Sequence, residues 1–333
     1  MQQNPEPPVR LKGVVGIQNM GNTCYVNAVL QALRSCHEWN KFCLIEPIQP
    51  TSKITLAYKD MLSTMWSAYK PAYVRPLAFI ADIRTAVQNT PYVMFGQPMQ
   101  NDAHEYLAYL LDQFHEELKV DSNQMEVDSQ DMNAMAERAW NVFLSKKTSR
   151  VVSIFFGMLR KTVICSNCNN KTYQWELFNT LKIPCDGVTF YDWIKKEVNE
   201  VSDIDTYKCN TCNGKYPAKK YSHIWKLPQQ LFIVLHRFQG DGSKIMTSCP
   251  GLSELSFEQF YAEEALFNLN NMKYDLCAIV EHHGQHIGGG HYTSQFKHPL
   301  SHEWWHYDDE RAYEIGIPRF SSSTYILSYQ VQH

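Results

Sequence analysis

Residues 16–36 read GIQNMGNTCYVNAVLQALRSC. Behind the turn-forming string Gly21-Asn22-Thr23, the apolar residues Val26, Val29, Leu30 and Leu33 recur at the spacing of one helical face. Cys24 therefore falls in the first turn of a helix. Backbone N–H groups without intrahelical partners, and the positive end of the helix dipole, favour the thiolate there, which is the reactive form of the side chain. The same amides can hold an oxyanion. Asn19, five residues earlier, offers a side-chain N–H donor to it, a contribution of about 2.7–4 kcal/mol where such donors have been removed. By itself, a cysteine in this run also reads as a small buried residue.

A second helix is expected from about Ala103 to Leu118, with Ala103, Leu107, Leu110, Leu111, Phe114 and Leu118 on one side and Asp102 as its cap. Between Asp121 and Glu137 the acidic residues have no Lys or Arg among them, which predicts a solvated loop. From about Leu159 the pattern changes to short β-branched or alternating runs such as RKTVIC, TYQWELF, QLFIVLHRF, YDLCAIVEHH and HYTSQFKH. Each has strand length and is bounded by turn residues. A helical part followed by a mostly antiparallel sheet part is an α+β pattern.

The chain has 333 residues, 31 Lys+Arg and 34 Asp+Glu, a net charge of −3 that argues against a nucleic-acid partner. No apolar run approaches the roughly 18 residues of a membrane span, and the start MQQNPEPPVRLKG has no secretory h-region. A cytoplasmic or nuclear location is expected, where thiols stay reduced. Four of the ten cysteines form two Cys-x-x-Cys pairs, Cys165/Cys168 and Cys209/Cys212. Brought together by an insert read as two strands, they make a closed four-thiolate site for a structural Zn2+. The other six cysteines read as buried apolar residues unless their context assigns them chemistry.

A thiol nucleophile needs a base. In residues 282–296, HHGQHIGGGHYTSQF, the glycines 288–290 form a permissive loop and His291 opens a strand. Residues 303–310, EWWHYDDE, make a second strand ending in Asp308 and Asp309. If the two strands pair, an acidic side chain at the end of one can orient the imidazole at the start of the other. Alone, a His after glycines is a turn residue and Asp-Asp a solvated turn.

Together, the box around Cys24, the segments QNDAHEYL (100–107) and LPQQLFIVLHRF (227–238), both Cys-x-x-Cys pairs and the box GGGHYTSQF…WWHYDDERAYEI…YILSYQ resemble the ubiquitin-specific proteases. These are deubiquitinases, papain-like cysteine isopeptidases, and the likeness runs from about Val14 to Gln330. It implies a single catalytic domain over 14–331 behind a disordered segment 1–13. The helical thumb would cover about 14–155, mainly fingers about 156–235, and mainly palm about 236–331, with the zinc ribbon at the fingertips. It also implies Cys24 as nucleophile, His291 as base and then acid, Asp308 as its orienting residue, Asn19 in the oxyanion hole and Asp309 assisting.

The implied reaction is hydrolysis of the isopeptide bond after the C-terminal glycine of ubiquitin, with ubiquitin and ubiquitinated proteins as partners and an activating or targeting protein alongside. The rival expectation is a catalytically silent ubiquitin-binding protein. Asp102 and Glu105, spaced as a capping box, would by resemblance also face the basic ubiquitin tail. Gly289 and Gly290, with Tyr292 beside them, would close over its Gly-Gly end, where a narrow channel excludes larger side chains. The family usually has two glutamines before that Asp; here Gln100 is followed by Asn101.

Overall fold

The computed structural model describes residues 11–69, 71–122, 131–262, 264–265 and 273–332; of the expected N-terminal segment 1–13, only the last three residues fall within that set. The first half is helical: α1 (Cys24–Leu33), α2 (His37–Ile45), α3 (Lys53–Met65), α4 (Leu77–Ala86), α5 (Ala103–Leu118), α6 (Met132–Phe143) and α7 (Arg150–Phe155). All residues of α1 are buried, because α5 packs on it from one side and the large sheet described below from the other. α5 spans the range its apolar spacing predicts, and Asp102 caps it by accepting from the His104 N–H at 2.7 Å. Two short pairs lace this half together: β1 (Gly16–Ile17) parallel to β2 (Tyr73–Val74), and β3 (Val120–Asp121) antiparallel to β4 (Lys147–Thr148).

The loop expected over 121–137 is corrected in part. Residues 123–130 lie outside the described set, but Met132–Glu137 begin α6, capped by Asp131, which accepts from the Ala134 N–H at 2.8 Å. Ala134 and Ala136 are buried, so small apolar residues between polar ones suffice for a half-buried helix.

In the second half, β5 (Gly157–Cys165), β6 (Lys171–Phe178), β7 (Leu181–Pro184), β8 (Ser202–Cys209) and β9 (Gly214–Lys226) are followed by β10 (Gln230–His236), β11 (Glu254–Ser256) and β12 (Lys273–His286). The last four strands are β13 (Gly289–Lys297), β14 (Trp304–Asp308), β15 (Arg311–Glu314) and β16 (Thr324–Val331). An antiparallel four-stranded sheet has the order β6-β5-β9-β8. The larger sheet has the order β15-β14-β13-β12-β16-β10-β7, with β11 paired to β12. All its pairs are antiparallel except β10 with β7.

The insert between the two cysteine pairs holds more than two strands. Besides β6, β7 and β8 it contains α8 (Phe190–Val198), with a Thr189/Asp192 capping box and Phe190, Trp193, Ile194 and Val198 buried. β7 and β10 thus take residues inside 156–235 into the larger sheet.

Both faces of that sheet are covered. Leu30, Phe114 and Phe155 meet Phe232, Val280 and Phe296 on one face, while Phe190, Trp193 and Phe257 meet Ile233, Ile279 and Leu327 on the other. Burial on both faces explains why β10 reads as a continuous apolar run rather than an alternating one. Among the described residues no helix is long and apolar enough to cross a membrane.

Candidate active site and metal centre

Cys24 is the first residue of α1 and 2% exposed. The first intrahelical bond runs from the Asn27 N–H to Thr23 O, which leaves the N–H groups of Cys24, Tyr25 and Val26 outside the helical ladder. Thr23 does not cap α1; its hydroxyl accepts from the Met20 N–H at 2.8 Å and donates to Asn19 Oδ1 at 3.3 Å. The expectation of a lowered thiol pKa is not met. Burial pushes the Cys24 thiol above the ordinary cysteine value; the backbone N–H of Tyr292 is the largest opposing influence, and the Asp309 carboxylate adds to the rise.

Strands β13 and β14 pair as expected, with Ser294 opposite Tyr307. The pairing brings His291 Nε2 to 2.6 Å from Asp308 Oδ1, both side chains being 40% exposed. With Nε2 engaged, Nδ1 is the ring nitrogen left for a second partner. A tight turn from β14 to β15 follows, and Asp309 takes a left-handed φ of 49°, which Asp tolerates better than most residues.

Asp309 is bound by two amides. Asn19 Nδ2 donates to Oδ2 at 2.9 Å and Asn27 Nδ2 to Oδ1 at 2.7 Å. Asn19 Oδ1 accepts from the N–H groups of Gly21 (2.9 Å) and Thr23 (3.2 Å), which fixes the orientation of its amide and leaves one Nδ2–H for another acceptor. Burial raises the Asp309 carboxyl, while the two Asn donors and His291 act against the rise. The segment before Cys24 is strapped to the same turn: Ile17 N–H donates to Asp309 O at 2.8 Å and Asn19 N–H to Glu310 Oε1 at 3.1 Å. Only glycine fits at position 16, where a Cβ would stand 2.3 Å from Glu310 O.

Asn27 was not singled out from the sequence. The signal was there, in a polar residue three positions after Cys24, which shares the cysteine's side of the helix, away from the apolar face of Val26, Val29, Leu30 and Leu33. Its Nδ2 also donates to Ile17 O at 3.1 Å, so it joins α1, β1 and the Asp309 turn. Gln100 was also missed as a bridge: its side chain donates to Gly290 O, tying the start of α5 to the β12–β13 hairpin. Asn101 donates to Tyr25 Oη at 3.1 Å and to the carbonyls of Met94 and Met99, so the position that departs from the family pattern has a packing role.

The residues expected to meet a substrate divide. Gly289 and Gly290 are exposed and lie within β13 rather than in a loop before it. Tyr292 is 2% exposed, its ring packed near His282 and Tyr325, so it offers the site its backbone N–H and not a surface ring. The Asp102 carboxylate accepts from the His104 N–H and, at 2.7 and 2.8 Å, from Tyr325 Oη. Glu105 is exposed, and among the described residues it does not return the second bond of a capping box.

The four ribbon cysteines converge. Cys165 and Cys168 lie at the β5–β6 turn, Cys209 and Cys212 at the β8–β9 turn, and all four Sγ atoms fall within 4.8 Å of one another. Sγ separations are 3.9 Å for Cys165–Cys212 and 3.7 Å for Cys168–Cys209. A tetrahedral zinc with Zn–S of about 2.3 Å has sulfurs about 3.8 Å apart, so the cluster fits that ion. Each pair is followed by an Asn with positive φ, Asn169 at 57° and Asn213 at 54°, which turns the chain back into the next strand. The four thiols share protons unequally: the Cys212 N–H leads the influences that lower the Cys209 thiol to about 7, whereas the Cys212 sulfur leads those that raise the Cys168 thiol, so it is the sulfur geometry that supports the metal.

The family model "Ubiquitin carboxyl-terminal hydrolase" matches residues 15–329. Bovine ubiquitin carboxyl-terminal hydrolase 2 is 27% identical over 350 residues, covering 96% of this chain and 55% of the relative. Drosophila melanogaster ubiquitin carboxyl-terminal hydrolase Usp2 is 28% identical over 340 residues (96% and 35%), and human ubiquitin carboxyl-terminal hydrolase 21 is 25% identical over 362 residues (96% and 62%). The chain thus spans about half the length of the relatives it matches. The SAGA DUB module Ubp8/Sgf11/Sus1/Sgf73 bound to monoubiquitin superposes with a TM-score of 0.74 at 20% identity, over 97% of this chain and 70% of the matched one. The same module bound to ubiquitin aldehyde gives 0.73 at 20% identity, over 99% and 72%. With the α+β fold, the paired His and Asp strands, the cysteine at a helix start and the match over nearly its whole length, the chain belongs to the ubiquitin-specific proteases of the ubiquitin carboxyl-terminal hydrolase family.

Proposed function

We propose that this chain is a deubiquitinating thiol protease that hydrolyses the isopeptide bond after the C-terminal glycine of ubiquitin. The observation that carries the proposal is the 2.6 Å His291–Asp308 hydrogen bond, beside a helix-start cysteine whose turn is fixed by Asn19 and Asp309. Cys24 gives its thiol proton to His291 Nδ1 while sulfur attacks the glycine carbonyl carbon. The carbonyl oxygen becomes an oxyanion, accepting from the Cys24 amide and the remaining N–H of Asn19. The C–N bond breaks as the imidazolium protonates the lysine amine, leaving a thioester. Water then gives a proton to His291 and its oxygen attacks the thioester; the C–S bond breaks, the departing Cys24 sulfur takes that proton back from His291, and the carboxylic acid product leaves and ionises. Asp308 holds the imidazole in the required tautomer, and Asp309 holds Asn19.

The same reading gives a single catalytic domain over about 14–331. Its helices form a thumb, the four-stranded sheet forms fingers tipped by a structural zinc on Cys165, Cys168, Cys209 and Cys212, and the larger sheet forms the palm. Gly289 and Gly290 flank the channel for the ubiquitin tail, and Glu105 is the carboxylate free to meet its basic residues. Because the solved relatives carry partner subunits, a protein partner that activates or targets the chain belongs to the proposal.

One observation favours a second reading, a ubiquitin-binding protein without turnover: among the described residues Cys24 makes no hydrogen bond to His291, whose Nε2 is bonded to Asp308. Covalent labelling by ubiquitin with a C-terminal electrophile separates the two, with Cys24→Ala as control. Labelling that depends on Cys24 supports the protease; ubiquitin bound without labelling of the unmodified chain supports the silent binder.

A further inference from the structure

Strand alternation puts Glu281 and His283 of β12, His291, Thr293 and Gln295 of β13, and His306 and Asp308 of β14 on one face of the larger sheet. Across that face Glu281 lies opposite Thr293, His283 opposite His291, and Gln295 opposite His306. The proposed chemistry employs His291 and Asp308 and leaves the others unexplained. Glu281 in particular is a carboxylate only 6% exposed, in a place where an unpaired charge is strongly unfavourable.

Its partners are specific. Glu281 Oε2 accepts from Thr293 Oγ1 at 3.1 Å and stands 3.3 Å from His306 Nε2. Thr293 Oγ1 is in turn 2.8 Å from His283 Nε2. An ionised carboxylate only accepts, so the threonine proton points to Glu281, and His283 Nε2–H donates to the threonine oxygen. By the same rule His306 carries its proton on Nε2. Burial acts to raise the Glu281 carboxyl, but hydrogen bonds from His306 and Gln295 and the charges of His283 and His306 together hold it below the ordinary value.

We propose that Glu281 is a positioning residue for the His291–Asp308 pair, tying β12 to β14 across the strand that carries His291. Each of its two main contacts is two residues from a member of that pair: Thr293 from His291 on β13, and His306 from Asp308 on β14. Through Thr293 it also steadies His283, the cross-strand neighbour of His291. Removing the carboxylate frees the strands on both sides of the imidazole. A displacement of about 1 Å at a reacting group is enough to lose on the order of 100-fold in rate.

The catalytic consequence rests on the protease reading above, so the test has one arm that needs no turnover. In the full chain, Glu281→Ala is compared with Leu276→Ala, a buried apolar residue of the same strand that touches none of the Glu281 contacts named above. The first readout is the downfield proton resonance of His291 Nε2–H bonded to Asp308, assigned by its loss in Asp308→Ala. The second is kcat and KM on a ubiquitin C-terminal fluorogenic amide.

Glu281→Ala is expected to lose or broaden the resonance and to lower kcat about 10- to 100-fold with KM within about twofold. Leu276→Ala, at comparable loss of melting temperature, keeps both. If Glu281→Ala does not fold, His306→Ala, which cuts the tie at the less buried end, carries the same expectation. A resonance and kcat that survive in the folded variant, or that Leu276→Ala loses equally, overturn the inference. An unmodified chain without turnover overturns the protease reading, while the resonance still decides the positioning role.

Discussion

Asn19 and Asp309 are joined by a 2.9 Å hydrogen bond across 290 residues of sequence, and the bond decides which way the Asn19 amide faces. Asn19 Oδ1 is already committed to the turn before Cys24, so its N–H pair points away from that turn and toward Asp309. Asn19→Ala is therefore expected to lower kcat by on the order of 100-fold with little change in KM, the mark of a group used in the transition state. Asp309→Ala frees the same amide and is expected to act in the same direction. Because the two act as one unit, the double variant should lose far less than the product of the single losses. Steady-state kinetics of the three variants check this; multiplicative losses would mean that the residues work separately.

The pH dependence of Cys24 follows from its environment. Burial and the Asp309 charge raise the thiol, so in the ubiquitin-free protein the thiolate fraction at neutral pH is small and grows as pH rises past the ordinary cysteine range. Alkylation of Cys24 by iodoacetamide, followed on the peptide by mass spectrometry, should keep accelerating through that range without an early plateau. In Asp309→Ala the same curve should move to lower pH, since a neighbouring negative charge has been removed. A plateau already reached below neutrality would instead show a preformed thiolate–imidazolium pair.

The sequence made α1, α5 and the β13–β14 pairing legible because each has an uninterrupted period and a turn signal at its end. It also supplied the cysteine sets, since identical Cys-x-x-Cys-Asn strings mark the two knuckles. It did not reveal that Asp102 spends its carboxylate on Tyr325, or that Asn27 ties the Asp309 turn to β1, because those partners lie more than 200 residues apart in the chain. α8 was hidden for a different reason. FYDWIKKEV has a helical face and a capping box, but it is short and sits among strand-like runs. The raised Cys24 thiol could not be read either: the helix start is visible in the sequence, whereas the burial that outweighs it is a property of packing.

The glycines before His291 are not equivalent. Gly290 has a φ of 138°, and a Cβ there would stand 2.4 Å from His283 O and 2.9 Å from His282 Nε2; at Gly288 a Cβ meets nothing within 4 Å. Gly290→Ala must shift the hairpin next to His291, and a loss on the order of 10- to 100-fold in kcat/KM is expected. Gly288→Ala should stay within about twofold if the loop needs only space there. Equal effects of the two would point to loop flexibility, rather than the close approach at position 290, as the requirement.

The ribbon makes the last prediction. Sulfur separations near those of a tetrahedral zinc site, with Cys165 and Cys209 buried, join the β5–β6 and β8–β9 turns at one point. One zinc per chain is expected by elemental analysis, and Cys209→Ser or a strong chelator should remove it and lower the melting temperature. The effect should be local. Amide hydrogen exchange is expected to rise in the parts of β5, β6, β8 and β9 nearest the cysteines, while α1 and β13 keep their protection, because those elements draw on the helical core and the larger sheet. A metal-free chain with unchanged exchange in the four-stranded sheet would show that the turns hold themselves together and that the ion is not structural.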